Sequence, residues 1–366
     1  MEGIMERKRV AVLLHGLGAN GIDTLFANLS SCWDLSRFDI TYLLAVDEGN
    51  HQYWEDKVAA NGIRVIHISD LDGKKLYRWP KQLENALRQY GPFDVIHVNM
   101  DMLNGINLRV AKKVGIPVRV CHAHSSNNTA VKNPVKAFAV KQYISIMKKY
   151  MRRYSTMRLA CSDLAGDYFF GEGNYRTVYN GIDLEKFLDK DLKKRKGEQI
   201  TFCTVGRLAP QKNPIFLADI INELYRLNSS IRFLWVGAGK MEKEVKDYVD
   251  SLPSKHVFSF LGVRKDIENV LAESSYFLLP SLYEGFGLVL VEAQAAGVDC
   301  FASDGVPTDI DCGKCRFIPL EKSAKQWAQE IMGVVEGKHT LELDEEKLRR
   351  FDIKNMADCL QKIYIG

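Results

Sequence analysis

The chain has 366 residues, 46% of them hydrophobic and 26% charged, and its 50 Lys and Arg against 46 Asp and Glu leave a formal charge of +4. That composition excludes a disordered or fibrous chain, and the length asks for about two domains, since single cores stop growing at roughly 250–300 residues. So mild a net charge gives no reason to expect nucleic acid as a partner.

Residues 1–9 lack the apolar core of a signal peptide, and no apolar run approaches the ~20 residues of a membrane span, so a cytoplasmic protein is expected. The eight cysteines sit mostly inside apolar runs, as at Cys121 and Cys203, the habit of reduced, buried thiols. Cys312 and Cys315 form the only CxxC spacing and have no second pair to complete a zinc site.

In chain order, β-branched apolar runs alternate with helical stretches. They fall at 9–14, 38–46, 64–69, 93–99, 118–124 and 158–162, then at 200–205, 231–237, 257–262, 276–280 and 298–303. Several are apolar throughout, as strands of a parallel sheet covered on both faces must be, and the alternation gives the α/β class. The charged stretch 189–198 has almost nothing to bury and predicts a linker. It divides the chain into a first Rossmann-like domain, 1–188, and a second, 198–343, facing each other across a cleft. Residues 344–366 predict a helix with Phe351, Ile353, Met356, Leu360 and Ile363 on one stripe, a candidate to pack back on the first domain.

Gly16-Leu-Gly18-Ala-Asn-Gly21 follows the first strand and opens a helix, a G-x-G-x-x-G turn that can point N–H groups at a phosphate. A nicotinamide site would add an acid at the end of the second strand. Asp39 stands at the wrong end of that strand and Asp47 too far along the chain. In the second half, Glu284-Gly-Phe-Gly-Leu-Val-Leu-Val-Glu292 follows a strand, at the edge where α/β sheets bind ligands. Gly285 and Gly287 permit close approach, the helix from Leu288 offers its N-terminus to an anion, and Glu284 and Glu292 suit hydroxyls. The competing structural reading is a capped, solvated helix start, which accounts poorly for the glycines. Arg207 and Lys212, after another strand, bring two cations to the same edge for a diphosphate, and Trp235-Val-Gly237-Ala-Gly239 ends a third strand in a close-approach turn.

On these residues the chain resembles family 4 glycosyltransferases of GT-B architecture, retaining enzymes that use nucleotide sugars. The markers are Glu284…Glu292 within Pro280-Ser-Leu-Tyr-Glu-Gly-Phe-Gly287, Val205-Gly-Arg-Leu…Lys212, Tyr179-Asn-Gly-Ile-Asp183 and Ala160-Cys-Ser-Asp163. Gly21-Ile-Asp-Thr24 is similar to the family's Gly-Gly-x-Glu-Thr loop, with Asn20 and Asp23 substituted. The likeness covers nearly the whole chain and is greatest to enzymes of capsular and exopolysaccharide synthesis.

The resemblance implies that a nucleotide sugar, with UDP-sugar the expected donor, is a substrate and that no cofactor or metal is needed. Arg207 and Lys212 would bind the donor diphosphate, Glu292 the ribose, and Glu284 with the backbone of Gly285, Phe286, Gly287 and Leu288 the transferred hexose and pyrophosphate. Gly237 would approach the nucleotide, Val263 would lie by the base, Gly21 would close over the donor, and His124 would contact the donor sugar. The acceptor would be a saccharide or a lipid-linked one. Asp70-Leu-Asp72 and Asp309-Ile-Asp311 match the D-x-D pattern of metal-dependent transferases but lack its strand-to-loop context. Competing functions are a nucleotide-sugar epimerase of the same fold, a nicotinamide-dependent dehydrogenase using Gly16 to Gly21, and an inactive binding module.

Residues 135–154 predict a helix with Val140, Tyr143, Ile144, Met147, Tyr150, Met151 and Tyr154 on an apolar stripe expected to face the core. From Lys132 to Arg158 there are eight basic residues and no acidic one. A solvated basic face and a docking face for an anionic bilayer both account for them, the second placing the protein at the inner face of the cell membrane.

Overall fold

The computed structural model describes residues 6–71, 76–125, 134–189, 199–337 and 341–366. They form two compact units, one of residues 1–181 with 353–366, the other of residues 182–352.

The first unit is built on a seven-stranded, wholly parallel sheet in the order β3-β2-β1-β4-β5-β6-β7. β1 is Lys8–Leu14, β2 Phe38–Leu44, β3 Arg64–His67, β4 Val95–Val98, β5 Val118–Ala123, β6 Met157–Ala160 and β7 Arg176–Thr177. Val10 to Leu14 are buried without exception, which is what helices on both faces demand. The two-residue β7 is too short to show as a run in the sequence. α1 (Gly21–Leu29) starts where Asn20 Oδ1 accepts the Asp23 N–H, and α4 (Asn104–Val114) stops at Gly115, whose φ of +97° takes the chain out of the helix.

α5 (Pro134–Tyr154) departs from its expected face. Met147 and Met151 are buried against α4, and Gly105 lies so close that a Cβ there would stand 2.6 Å from the Met147 carbonyl oxygen. Of the remaining stripe, Val140 and Tyr143 are exposed, and so are the off-stripe Phe138 (65% exposed) and Ile146. Only the C-terminal half of the helix is a core element; its N-terminal half leaves large apolar side chains in solvent.

The second unit holds a six-stranded parallel sheet ordered β10-β9-β8-β11-β12-β13. Its strands are β8 (Thr201–Val205), β9 (Arg232–Val236), β10 (Phe258–Gly262), β11 (Tyr276–Leu279), β12 (Asp299–Ser303) and β13 (Cys315–Ile318). β13 escapes a search for apolar runs because, as an edge strand, it is buried only at its two ends. α8 (Pro214–Leu227) and α12 (Ala324–Val335) pack together over one face, around Trp327.

Two boundaries differ from the sequence reading. The short α7 (Leu184–Leu188) belongs to the second unit, because Leu184 and Phe187 are buried and the helix packs on α11 (Leu288–Ala295). Apart from Asp189, the expected linker at 189–198 lies outside the described residues. The single helix expected over 344–366 is two: α13 (Glu345–Arg349) in the second unit and α14 (Ile353–Ile365) in the first. They part at Phe351, whose ring meets Phe286 (5.8 Å between centroids) and whose carbonyl accepts the Ile182 N–H at 2.8 Å. The apolar stripe is thus shared between two cores. From α14, Tyr364 is buried beside Trp33 and Phe38 and its hydroxyl meets His97 Nδ1 at 2.7 Å.

Candidate functional site

In the second sheet β8 and β11 are neighbours, while the chain leaves β8 toward β9 on one side and β11 toward β12 on the other. Such a reversal of strand order opens a crevice at the carboxyl ends, the place where open α/β sheets bind ligands. The loop after β8 carries Arg207 and Lys212, and the loop after β11 runs to Glu284. The two loops are tied by Leu282 N–H to the Gln211 carbonyl at 2.8 Å and by Gln211 Nε2 to the Tyr283 carbonyl at 3.0 Å. Lys212 Nζ lies 2.5 Å from Glu284 Oε1, with the Glu284 side chain buried and Lys212 partly so. Arg207 is exposed, and among the described residues its guanidinium makes no ion pair or hydrogen bond. A small cavity below them is lined by Thr204, Arg207, Lys212, Trp235 and Leu279.

Beyond Glu284, Phe286 is buried and Gly287, at φ +92°, turns the chain into α11, whose first N–H groups receive no side-chain cap. The uncapped donors and the positive end of the helix suit an anion. Glu292 is partly buried just over one turn in. Burial raises its carboxyl to about 7, the nearby Glu268 carboxylate adds to the rise, and Lys186 opposes it. Its carboxylate has no hydrogen-bond partner among the described residues. Gly285 and Leu288 line the same turn, half-buried.

The other glycines serve a different end from the one the sequence suggested. A Cβ on Gly237 (φ +130°) would lie 2.0 Å from the Gly206 carbonyl oxygen, and one on Gly239 would lie 2.4 Å from that of Leu208. The close approach is between neighbouring loops, so these glycines need no ligand to explain them. Val263 is 51% exposed beyond Gly262, whose carbonyl accepts the Gly237 N–H at 2.8 Å. In the D-x-D match at 309–311, Asp311 Oδ1 accepts the N–H groups of Gly313 and Cys315, which is the work of a turn. Asp70 donates its N–H to Asp47 Oδ1, and Asp72 lies outside the described residues. Among the described residues no three His, Cys, Asp or Glu side chains are grouped to hold a metal ion, and all eight cysteines are free.

In the first unit, the glycine turn is already filled. Asp23 Oδ2 accepts the Gly18 N–H at 2.7 Å and Asn20 Nδ2 at 2.6 Å, so the chain's own carboxylate occupies the cradle offered to a phosphate. Burial pushes that carboxyl up to about 7. Gly21, the first residue of α1, is exposed. Asp39 ion-pairs with Arg9 at the opposite end of the strands, away from any cofactor ribose at this turn.

His124 directly follows β5, and its ring is buried. Nε2 lies 2.9 Å from Asn99 Oδ1 and Nδ1 lies 3.0 Å from Asn180 Oδ1. Burial holds its imidazole down at about 4, so the ring is neutral at physiological pH. Asn99 Nδ2 donates to the His97 carbonyl, which leaves Oδ1 to accept the Nε2–H of His124; Nδ1 of the neutral ring then accepts from the Asn180 amide, turned so that its nitrogen, which has no other partner among the described residues, faces the ring. Behind it, His122 and His97 stack 5.2 Å apart and continue to Tyr364, a buried chain the sequence did not reveal because its members come from β4, β5 and α14.

Residues 19–186 match the family model described as Glycosyltransferase Family 4, and residues 186–352 match Glycosyl transferases group 1. The UDP-Gal:α-D-GlcNAc-diphosphoundecaprenol α-1,3-galactosyltransferase of Escherichia coli is 30% identical, over 73% of this chain and 72% of its own. The capsular polysaccharide biosynthesis glycosyltransferase CapH of Staphylococcus aureus is 23% identical, over 90% of this chain and 91% of its own. HepE of Anabaena, solved in complex with UDP, superposes with a TM-score of 0.78 at 16% identity, over 97% of this chain and 98% of its own. The chain belongs to the family 4 glycosyltransferases, has the GT-B fold and resembles capsular and exopolysaccharide enzymes. Neither the epimerase nor the dehydrogenase reading is favoured.

Proposed function

We propose that the protein transfers a hexose from a UDP-sugar, with retention of configuration, to a lipid-linked saccharide in surface polysaccharide synthesis. The observation that carries this is the crevice between β8 and β11, where Arg207, Lys212, Glu284, Glu292 and the uncapped start of α11 converge on one sheet edge. Two cations and free N–H groups suit a diphosphate, and two carboxylates suit the hydroxyls of a ribose and a hexose. One-step retention needs the acceptor hydroxyl on the leaving-group side, where the departing diphosphate can take its proton, so no protein base is required. Arg207 and Lys212 then stabilise the charge that develops on the leaving diphosphate and do the work a metal would otherwise do. The Escherichia coli relative acts on a diphosphoundecaprenol-linked sugar, which supports an acceptor of that kind. A panel of UDP-, GDP- and ADP-sugars and NAD(H) in thermal-shift experiments, followed by product analysis with an α-D-GlcNAc-diphospholipid, tests the reading. Stabilisation by UDP-sugars with a new α-glycoside is the expected result, and stabilisation by NAD(H) alone overturns it.

A lipid-linked acceptor requires access to a membrane, and no helix among the described residues is long and apolar enough to cross one. The exposed half of α5 supports docking instead, at the cytoplasmic face. It sets Phe138, Val140, Tyr143 and Ile146 in solvent beside Lys141, with Lys149, Arg152 and Arg153 exposed further along. Aromatic and aliphatic groups flanked by cations bind an anionic interface, at about 1 kcal/mol per basic residue near the surface. Lys148 is engaged elsewhere, lying 3.6 Å over the Tyr168 ring. Replacing Lys141, Lys149, Arg152 and Arg153 by Gln is expected to release the protein from phosphatidylglycerol vesicles in co-sedimentation while leaving UDP binding intact. Unchanged sedimentation would refute docking through this helix.

A further inference from the structure

The first sheet has a switch point of its own. β1 and β4 are adjacent, and the chain leaves them in opposite directions, toward β2 and toward β5. The crevice between their carboxyl ends is bounded by His15, directly after β1, and by Asp101, three residues after β4. Nothing in the donor reading uses either residue.

Asp101 is built into an unusual position. Its φ of +49° lies in the left-handed region, which a non-glycine residue keeps where the surroundings enforce it. Here they do: Asn104 Oδ1 accepts the Met100 N–H at 2.7 Å, and Asn104 Nδ2 is anchored on the His122 carbonyl. The carboxylate so placed accepts a hydrogen bond from Ser125 Oγ at 2.9 Å on Oδ1. Oδ2 has no hydrogen-bond partner among the described residues. Val98 stands opposite Leu13 in the β1–β4 register and the Asn99 N–H reaches the Leu13 carbonyl at 3.1 Å, so His15 and Asp101 leave neighbouring strand ends, and each feels the other's charge.

We propose that Asp101, with Ser125 and His15, holds a hydroxyl of the saccharide acceptor. A carboxylate with a free oxygen is an acceptor for sugar hydroxyls and repels phosphate, so the group it takes is the sugar and not the diphosphate of a lipid carrier. His15 supplies a ring nitrogen to the same hydroxyl or its neighbour. The left-handed backbone, held by Asn104, fixes the carboxylate against Ser125 at the carboxyl end of the sheet. This inference rests on the saccharide-acceptor reading above.

The test uses Asp101→Gly, which keeps the left-handed conformation and removes the carboxylate, and Ser125→Ala, which removes only the donor to it. UDP binding is measured by calorimetry, and binding of methyl 2-acetamido-2-deoxy-α-D-glucopyranoside and methyl α-D-galactopyranoside by saturation-transfer NMR. The expected result is UDP affinity within about twofold of wild type in both variants, with saturation transfer to the preferred glycoside falling at least fivefold in Asp101→Gly and less in Ser125→Ala. An undiminished signal in Asp101→Gly overturns the proposal, as does a wild-type protein that binds UDP but neither glycoside. A wild-type protein that fails to bind UDP overturns the donor reading instead, and the glycoside arm still decides this one.

Discussion

Replacing Lys212 by Ala is expected to weaken UDP binding by about 30- to 100-fold, more than Arg207→Ala does. The reason lies in its partner. Lys212 Nζ sits 2.5 Å from Glu284 Oε1, and Glu284 is buried. In the proposed complex, loss of the ammonium removes one charge-assisted hydrogen bond to the diphosphate, worth roughly 1.5–3 kcal/mol. It also takes the neighbouring cation from the buried Glu284 carboxylate, which keeps its Gln211 contact, beside an incoming anion, a second penalty that removing Arg207 does not incur, since Arg207 ion-pairs with no acid among the described residues. The double variant Lys212→Ala/Glu284→Gln separates these contributions: it should recover part of the affinity lost by Lys212→Ala, although it has lost a further polar contact. Calorimetric titration with UDP reads all four corners of the cycle. Affinity within twofold of wild type in Lys212→Ala would remove the diphosphate from this edge.

The residues of that cycle were readable from the sequence because each lies in the loop that follows a strand, and runs such as Phe277 to Leu279 are apolar throughout when buried on both faces. From the run one reads the strand, and from the strand its ligand-binding end. What stayed hidden came from contacts that link distant parts of the chain. Gly237 looked like an approach to a nucleotide, yet the atom it makes room for is the Gly206 carbonyl oxygen, and only strand order says that β8 and β9 are neighbours. The 16–21 turn matched a phosphate cradle, but Asp23, a residue of the matched helix itself, fills it. Phe351 and Ile353 fall on one helical stripe in sequence and in two different cores in space, because the Ile182 N–H captures the Phe351 carbonyl between them. A helical period is a local property; which core it serves is not. The same limit hid Asp101, whose interest lies in a backbone angle and in a neighbour 24 positions away.

Glu292 gives the other large effect, and it depends on pH. In the folded protein its carboxyl is raised to about 7 from an ordinary value of 4.5, so near neutrality it is half protonated. In the proposed complex ribose hydroxyls donate to the carboxylate, and the bound state then favours the deprotonated form. UDP-glucose affinity should rise with pH between 6 and 8, approaching tenfold per unit at the acid end and levelling off above 7. UDP-glucose is the ligand of choice because both its phosphates are esterified and neither titrates in that window. Glu292→Gln should abolish the slope and bind at pH 8 with affinity about 10- to 100-fold below wild type. Stability moves the opposite way. A raised acid binds more protons folded than unfolded, so this group's contribution to stability is greatest below pH 4.5 and declines as pH rises through 7. Glu292→Gln is accordingly expected to raise Tm at pH 8 and to change it little at pH 4. A variant that is more stable and binds less well marks a carboxylate kept for a ligand, whereas a merely structural acid would lose stability when neutralised. Equal slopes in wild type and Glu292→Gln would assign the proton to another group and free Glu292 from the ribose.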